Sequence, residues 1–207
     1  MNQSAARAAE KGRLRRQFRA LRLAALADSE ALILAVAQRE LPALLPAGTR
    51  LGIYWPLAGE VDLRPLAALD LPLALPAVCG DGPQPPRLLY RPWHPGDPLA
   101  PDHCGIPAPL ARDAPTRPTA ELHPDAMGLL LVPALAMDRH GIRLGYGGGW
   151  YDRLRAEPAW RAVPALAVLP AACVVEALPR DGWDVPFAGW LDERGLHRIA
   201  AANIASL

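Results

Sequence analysis

The chain has 207 residues, of which 51% are hydrophobic and 21% charged, with a formal net charge of +1. That is enough chain for one domain with a substantial core. The near-neutral balance argues against nucleic acid or an anionic membrane as the main partner. The 24 prolines and 17 glycines lie scattered between apolar runs, as in a loop-rich globular protein rather than a disordered one. Cys79, Cys104 and Cys173 form no CxxC pair, so reduced thiols in a cytoplasmic protein are expected. The apolar runs 129–137 and 163–175 are too short or too broken by proline to span a bilayer. Residues 1–9 lack the apolar centre of a secretory signal. The Ala- and Arg-rich first 27 residues would suit a transit peptide, but their apolar positions also fit a docked helix.

Residues 4–26 read as an amphipathic helix. Leu14, Phe18 and Leu21 fall on one side; Lys11, Arg15 and Arg22 fall on another, with Lys11 and Arg15 one turn apart. Asp28 or Ser29 is placed to cap a second helix ending near residue 45. Residues 51–55 (LGIYW) form a short strand after a turn at 46–49. Residues 62–69 suit a short helix, and 73–78 and 88–91 suit strands separated by a Pro/Gly-rich turn at 80–86. Proline and aspartate make 92–125 mostly loop. Residues 127–137 read as a buried strand and a turn, 150–157 as a helix and 165–169 as another apolar strand. The alternation predicts a single-domain α/β fold, a three-layer sandwich with a mostly parallel sheet flanked by helices.

Between the strongest strand and a helix lies RLGYGGGWYDR, residues 143–153. Ligands of open α/β sheets bind at the carboxyl ends of strands. Glycines there allow close backbone approach, successive amides form an anion nest, and a following helix adds its positive end. Arg143 supplies a full charge for a phosphate, and Asp152 a hard oxygen for Mg²⁺. The run is neither a Walker A loop, which needs GK[ST], nor a dinucleotide fingerprint, because Trp150 stands where the third glycine belongs. His94, His103 and Cys104 match no common zinc spacing.

VPALAMDRHGIRLGYGGGWYDRL resembles the signature of the 5-formyltetrahydrofolate cyclo-ligase (5,10-methenyltetrahydrofolate synthetase) family, VP-x-x-A/G-F-D-x-x-G-x-RLG-x-G-x-G-aromatic-YDR. KGRLRRQFRALR resembles its K-x-x-x-R opening helix, YWPLAGEVD its E-x-D element, and ALPRDGWDVPF its late acidic element, so the likeness runs from about residue 8 to 192. The resemblance implies ATP-dependent closure of 5-formyltetrahydrofolate to 5,10-methenyltetrahydrofolate, with ADP and phosphate released and Mg²⁺ as cofactor. It implies Arg143 and Tyr151 as catalytic residues. It implies ATP contacts from Lys11, Arg15, Arg143, Leu144, Gly145, Tyr146, Gly147, Gly148, Gly149, Trp150 and Tyr151. Trp55, Glu60, Gly148 and Trp150 would meet the pterin substrate, and Asp152 with Asp184 would hold the metal. Only small-molecule partners are implied, with neither nucleic acid nor membrane. The oligomeric state is left open, a monomer being the simpler expectation.

Each residue also has a structural alternative. Lys11 and Arg15 could be a solvated helix face, Glu60 a cap for the helix at 62–69, and Asp184 a turn cap before Pro186. Trp55 could be core, Tyr151 could pack under the loop, and Trp183 and Trp190 read as packing. The sequence departs from the family pattern at Ala108, where a Glu is expected, at Cys173 for Gln, at Asp192 for Thr and at Met137 for Phe. These departures bear on substrate affinity more than on ATP binding. Residues 80–126 align poorly and yield no site residue. A non-catalytic nucleotide- or folate-binding relative, and a kinase acting on another acceptor, are the alternative functions.

Overall fold

The computed structural model describes residues 3–80, 85–109 and 121–199. One helix, α1 (Gln3–Glu40), replaces the two expected helices. Asp28 and Ser29 lie inside it, and the Ser29 hydroxyl donates back to the Ala25 carbonyl at 2.8 Å instead of capping a new start. Beyond Gly12 no glycine or proline interrupts the chain until Pro42, just past the helix end, where a proline cannot continue it.

The strands are β1 (Arg50–Gly52), β2 (Leu73–Cys79), β3 (Arg87–Trp93), β4 (Ala100–Pro101), β5 (Pro107–Ala108) and β6 (Met127–Pro133). They continue with β7 (Ala136–Asp138), β8 (Arg143–Leu144), β9 (Ala165–Val168), β10 (Val174–Val175), β11 (Gly189–Asp192) and β12 (Gly195–Arg198). Helices α2 (Trp150–Ala156) and α3 (Pro158–Ala162) lie between β8 and β9. A seven-stranded sheet runs β12-β11-β9-β6-β1-β2-β3. Its inner strands β11, β9, β6, β1 and β2 are parallel, and β12 and β3 pair antiparallel at the edges. A three-stranded sheet, β10-β7-β8, holds the chain around the glycine run.

Alternate residues of the parallel strands feed two cores. Ala74, Val78, Leu130, Val132, Ala165 and Ala167 face one, which Leu154 of α2, Trp160 of α3 and Phe18 of α1 complete. Leu73, Leu75, Leu129, Leu131, Leu166 and Val168 face the other, covered by Ile33, Val36, Ala37 and Leu41 of α1 and by Leu66 of the 3-10 turn Arg64–Leu69. Burial on both faces is why these strands read as continuous apolar runs. The expected sandwich is therefore present. The residues expected as a strand at 51–55 leave the sheet after Gly52, freeing Tyr54 and Trp55 to line a cavity. Residues 92–125 contain the β4–β5 hairpin as well as loop. The expected turn at 80–86 and the loop at 92–125 lie partly outside the described residues. Among the described residues no helix is long and apolar enough to cross a membrane.

Gly52 gives the first core its closest packing. A Cβ there would lie 2.8 Å from both Leu130 Cδ2 and Tyr90 Cε1, and 3.0 Å from Met127 Cε. Alanine gains roughly 0.5–1 kcal/mol over glycine in a strand, whereas an extra methyl in a filled core costs about 1–3 kcal/mol. Gly52→Ala is expected to lower stability by about 1–2 kcal/mol, seen as a lower urea midpoint at unchanged slope. A stabilised variant would contradict this packing.

Candidate active site

Two cavities meet at the glycine loop. The larger, about 400 Å³, opens at the carboxyl ends of the parallel strands, between Tyr54 and Trp55 after β1, Val78 of β2 and Pro133 of β6. The smaller, about 220 Å³, lies between the first turns of α1 and the loop. Both are lined by Arg143, Tyr146 and Gly149, so the loop is their common wall.

The turn before Arg143 is built by a buried carboxylate. Asp138 Oδ1 accepts the amides of His140 and Ile142, and Oδ2 accepts that of Leu178, all at 2.9 Å. This turn joins β7 to β8 and delivers Arg143 to the end of β6, where Nη1 donates to the Pro133 carbonyl at 2.9 Å. The Arg143 side chain is only 6% exposed, with Asp152 at 3.7 Å from Nη2 and Nε lacking a hydrogen-bond partner among the described residues. A Cβ on residue 145 would come within 2.7 Å of the Arg143 guanidinium, so a side chain there would push the guanidinium from this position. Gly149 enters α2 at φ 67°, a left-handed conformation that disfavours side chains.

The small cavity is polar. Arg15 Nε donates to the Gly145 carbonyl at 3.0 Å. Lys11 Nζ lies 2.8 Å from Asp181 and 2.7 Å from Asp184. Burial pulls the Lys11 ammonium down, but the two carboxylates outweigh it and leave Lys11 above its ordinary 10.5. The hydrogen bond from Lys11 holds Asp181 below its ordinary 3.8. This bridge therefore stabilises the fold between those values; it is lost as pH falls below 3.8 or rises past 10.5. Asp152 and Asp184 line the same cavity. Among the described residues no group of three or more His, Cys, Asp or Glu is placed to hold a metal ion. Mg²⁺ usually takes one or two carboxylates and completes its shell with phosphate oxygens and water; Asp152 and Asp184 supply two carboxylates to this cavity, Asp184 with Oδ2 already accepting Lys11 and the Asp181 amide.

The large cavity is mostly apolar, with one buried acid. Glu60 Oε2 accepts the Leu57 amide at 2.8 Å, while Oε1 has no hydrogen-bond partner. Its countercharge is Arg22, 3.9 Å away and equally buried. Arg22 also donates to the Tyr146 hydroxyl and, at 3.4 Å, to the Ala134 carbonyl. Burial, then the neighbouring Glu60, pushes the Tyr146 phenol well above its ordinary 10.0, and burial does the same for Tyr151. Both are hydrogen-bond donors through the neutral range, not bases. Arg64 stacks on Trp55 and Arg153 on Trp150, each at 4.4 Å from the ring centre.

Every residue expected at the site lines one of these cavities. Trp55, Glu60, Gly148, Trp150 and Tyr151 line the large one. Lys11, Arg15, Leu144, Gly145, Gly147, Asp152 and Asp184 line the small one. Glu60 does not cap the 3-10 turn, whose cap position is Leu63. Sequence reasoning missed Asp181, Arg22, and the wall that Asp102, Cys104 and Ile106 contribute from the β4–β5 hairpin. Arg22 carried a signal: it shares the helix side of Lys11 and Arg15, the side that faces the site. Trp190 packs as expected, but Trp183 is 65% exposed. Ala108, Met137, Cys173 and Asp192 are buried and line neither cavity. Asp192 instead binds the Trp190 indole at 3.0 Å and the Arg194 amide at 2.8 Å, shaping the β11–β12 turn.

A model described as the 5-formyltetrahydrofolate cyclo-ligase family matches residues 7–190. The chain belongs to this family. The cyclo-ligase match contains both cavities, from Lys11 to Asp184. The 5-formyltetrahydrofolate cyclo-ligase of Escherichia coli (strain K12) is 28% identical over 142 residues, covering 65% of this chain and 72% of that protein. The Haemophilus influenzae cyclo-ligase is 32% identical over 99 residues, 48% of this chain and 50% of that one. The solution structure of Aquifex aeolicus 5,10-methenyltetrahydrofolate synthetase is similar, with a TM-score of 0.70 and 26% identity over 91% of this chain and 92% of that one. A Mycoplasma pneumoniae 5,10-methenyltetrahydrofolate synthetase shares the fold, with a TM-score of 0.65 at 18% identity over 89% of this chain and 99% of that one.

Removing one partner of a buried ion pair strands the other. Arg22→Met is expected to cost about 3–5 kcal/mol in urea unfolding. Adding Glu60→Gln should recover part of that loss, because the stranded acid is neutralised. Strictly additive losses would show that the two side chains do not interact.

Proposed function

We propose that this chain converts 5-formyltetrahydrofolate and ATP to 5,10-methenyltetrahydrofolate, ADP and phosphate. Family membership supports the reaction. The observation that carries it is the buried Arg143 in the wall between a polar cavity, lined by Lys11, Arg15 and three aspartates, and an apolar, aromatic cavity with one buried acid.

The chemistry requires both compartments at once. The N5-formyl group is an amide whose resonance, about 18–20 kcal/mol against rotation, makes its carbon a poor electrophile. Its oxygen attacks the γ-phosphorus; the new O–P bond forms as the bond from phosphorus to ADP breaks. N10 then attacks the activated carbon and loses its proton, and the C–O bond breaks to release phosphate. Such transfers ask for positioning and charge stabilisation rather than a covalent residue.

The residues divide accordingly. Arg143 meets the charge developing on the phosphoryl group as it crosses the wall. Lys11, Arg15 and the backbone of Gly145, Gly147 and Gly149 receive the phosphates. Magnesium, held by Asp152 and Asp184, would neutralise phosphate charge. Glu60, beside Arg22, would accept N–H groups from the pterin edge. Trp55, Gly148 and Trp150 would bound the pterin, and the protonated Tyr151 would donate to the formyl end. A cytoplasmic location suits the reduced cysteines.

The test is the rise of methenyl absorbance when protein, Mg-ATP and 5-formyltetrahydrofolate are mixed. Arg143→Ala is expected to lose about 10²–10³ in rate, or 2.7–4 kcal/mol. Unchanged turnover removes Arg143 from the mechanism, and bound folate without product or ADP would leave only a binding protein.

A further inference from the structure

The small cavity has two neighbours. At one end it shares Arg143, Tyr146 and Gly149 with the large cavity; at the other it shares Trp183 and Asp184 with a third space, a groove of about 640 Å³ beside α3. At about 220 Å³ the small cavity is below the roughly 300–1,000 Å³ of ordinary small-molecule pockets. It has room for a phosphate chain but not for a whole nucleotide. On the cyclo-ligase reading, the γ-phosphoryl group must face the wall it shares with the large cavity. The nucleoside must then leave by the opposite end, past Asp184 and Trp183.

Trp183 is suited to receive it. At 65% it is the most exposed of the large hydrophobic side chains among the described residues. The turn that carries it is nonetheless held in place. The Asp184 amide donates to the Asp181 carbonyl at 3.1 Å, the Asp181 amide donates to Asp184 Oδ2 at 2.8 Å, and Lys11 bridges both carboxylates from α1. An exposed indole on a cross-tied turn, at the mouth of a phosphate-sized cavity, offers a stacking face on a backbone that is already ordered. We propose that Trp183 is the base-stacking residue for ATP, with the ribose passing Asp184 and the purine lying on the indole at the mouth of the groove. This inference rests on the cyclo-ligase reading, because that reading fixes which end of the triphosphate points inward.

Stacking on one face recognises an aromatic base and leaves the phosphates alone. The test compares equilibrium binding of Mg-ATP and of Mg-tripolyphosphate to the full chain, to Trp183→Ala and to Trp183→Phe. Trp183→Ala is expected to weaken ATP about 5- to 150-fold, the effect of removing one base–aromatic stack. Tripolyphosphate binding should be unaltered, and Trp183→Phe should restore most of the ATP affinity. In turnover the loss should fall on the KM for ATP rather than on kcat, as for binding equal in ground and transition states. Equal ATP affinity in Trp183→Ala and the unaltered chain overturns the proposal, as does an equal loss for ATP and tripolyphosphate. Failure of the unaltered chain to bind ATP at all would overturn the cyclo-ligase reading itself, and this inference with it.

Discussion

A charged guanidinium buried in a protein wall must be compensated, since an isolated ion is far too costly to bury. Arg143 is compensated only in part. The Pro133 carbonyl takes one nitrogen, Asp152 stands 3.7 Å from another, the rings of Tyr151 and Phe187 lie 5.4 and 5.6 Å from the charge, and Nε is left without a hydrogen-bond partner among the described residues. The guanidinium is therefore left with donor capacity that the described residues do not use. The fold is arranged around keeping that group in place. Parallel strand β6 supplies the carbonyl, the Asp138 turn supplies the approach, and Gly145 supplies the space.

Helix α1 then decides what kind of anion can reach the site. One side of a single long helix carries Lys11 and Arg15 to the small cavity and Arg22 to the inner wall of the large one. Arg22 binds Tyr146 of the glycine loop and lies beside Glu60. The loop that would hold phosphates and the acid that would hold a pterin are thus attached to the same buried cation.

Much of this was legible because the residue types announce the backbone or the charge they serve. The glycines of 145–149 mark close approach, and Arg143 and Asp152 beside them mark an anion and a cation. What escaped was decided by contacts distant in sequence. Ser29 and Asp28 are good caps locally, but Ile33, Val36 and Ala37 are buried against the sheet only if the helix continues through them. The β4–β5 hairpin has strands of two residues each, too short to show any periodicity. Arg22 resembles its solvated neighbours until Glu60 is brought beside it. Trp183 resembles packing until the Asp181–Asp184 turn carries it outward. The departures at Ala108, Cys173 and Asp192 line neither cavity; Ala108 and Cys173 lie in the core and Asp192 in the β11–β12 turn.

The decisive event is the passage of the phosphoryl group across the Arg143 wall to the formyl oxygen. The direct measurement uses 5-formyltetrahydrofolate carrying oxygen-18 in the formyl group, with mass analysis of the phosphate released during turnover. Label recovered in the phosphate is the predicted result, because that oxygen leaves carbon still bonded to phosphorus. Phosphate released without label alongside methenyl product would contradict it.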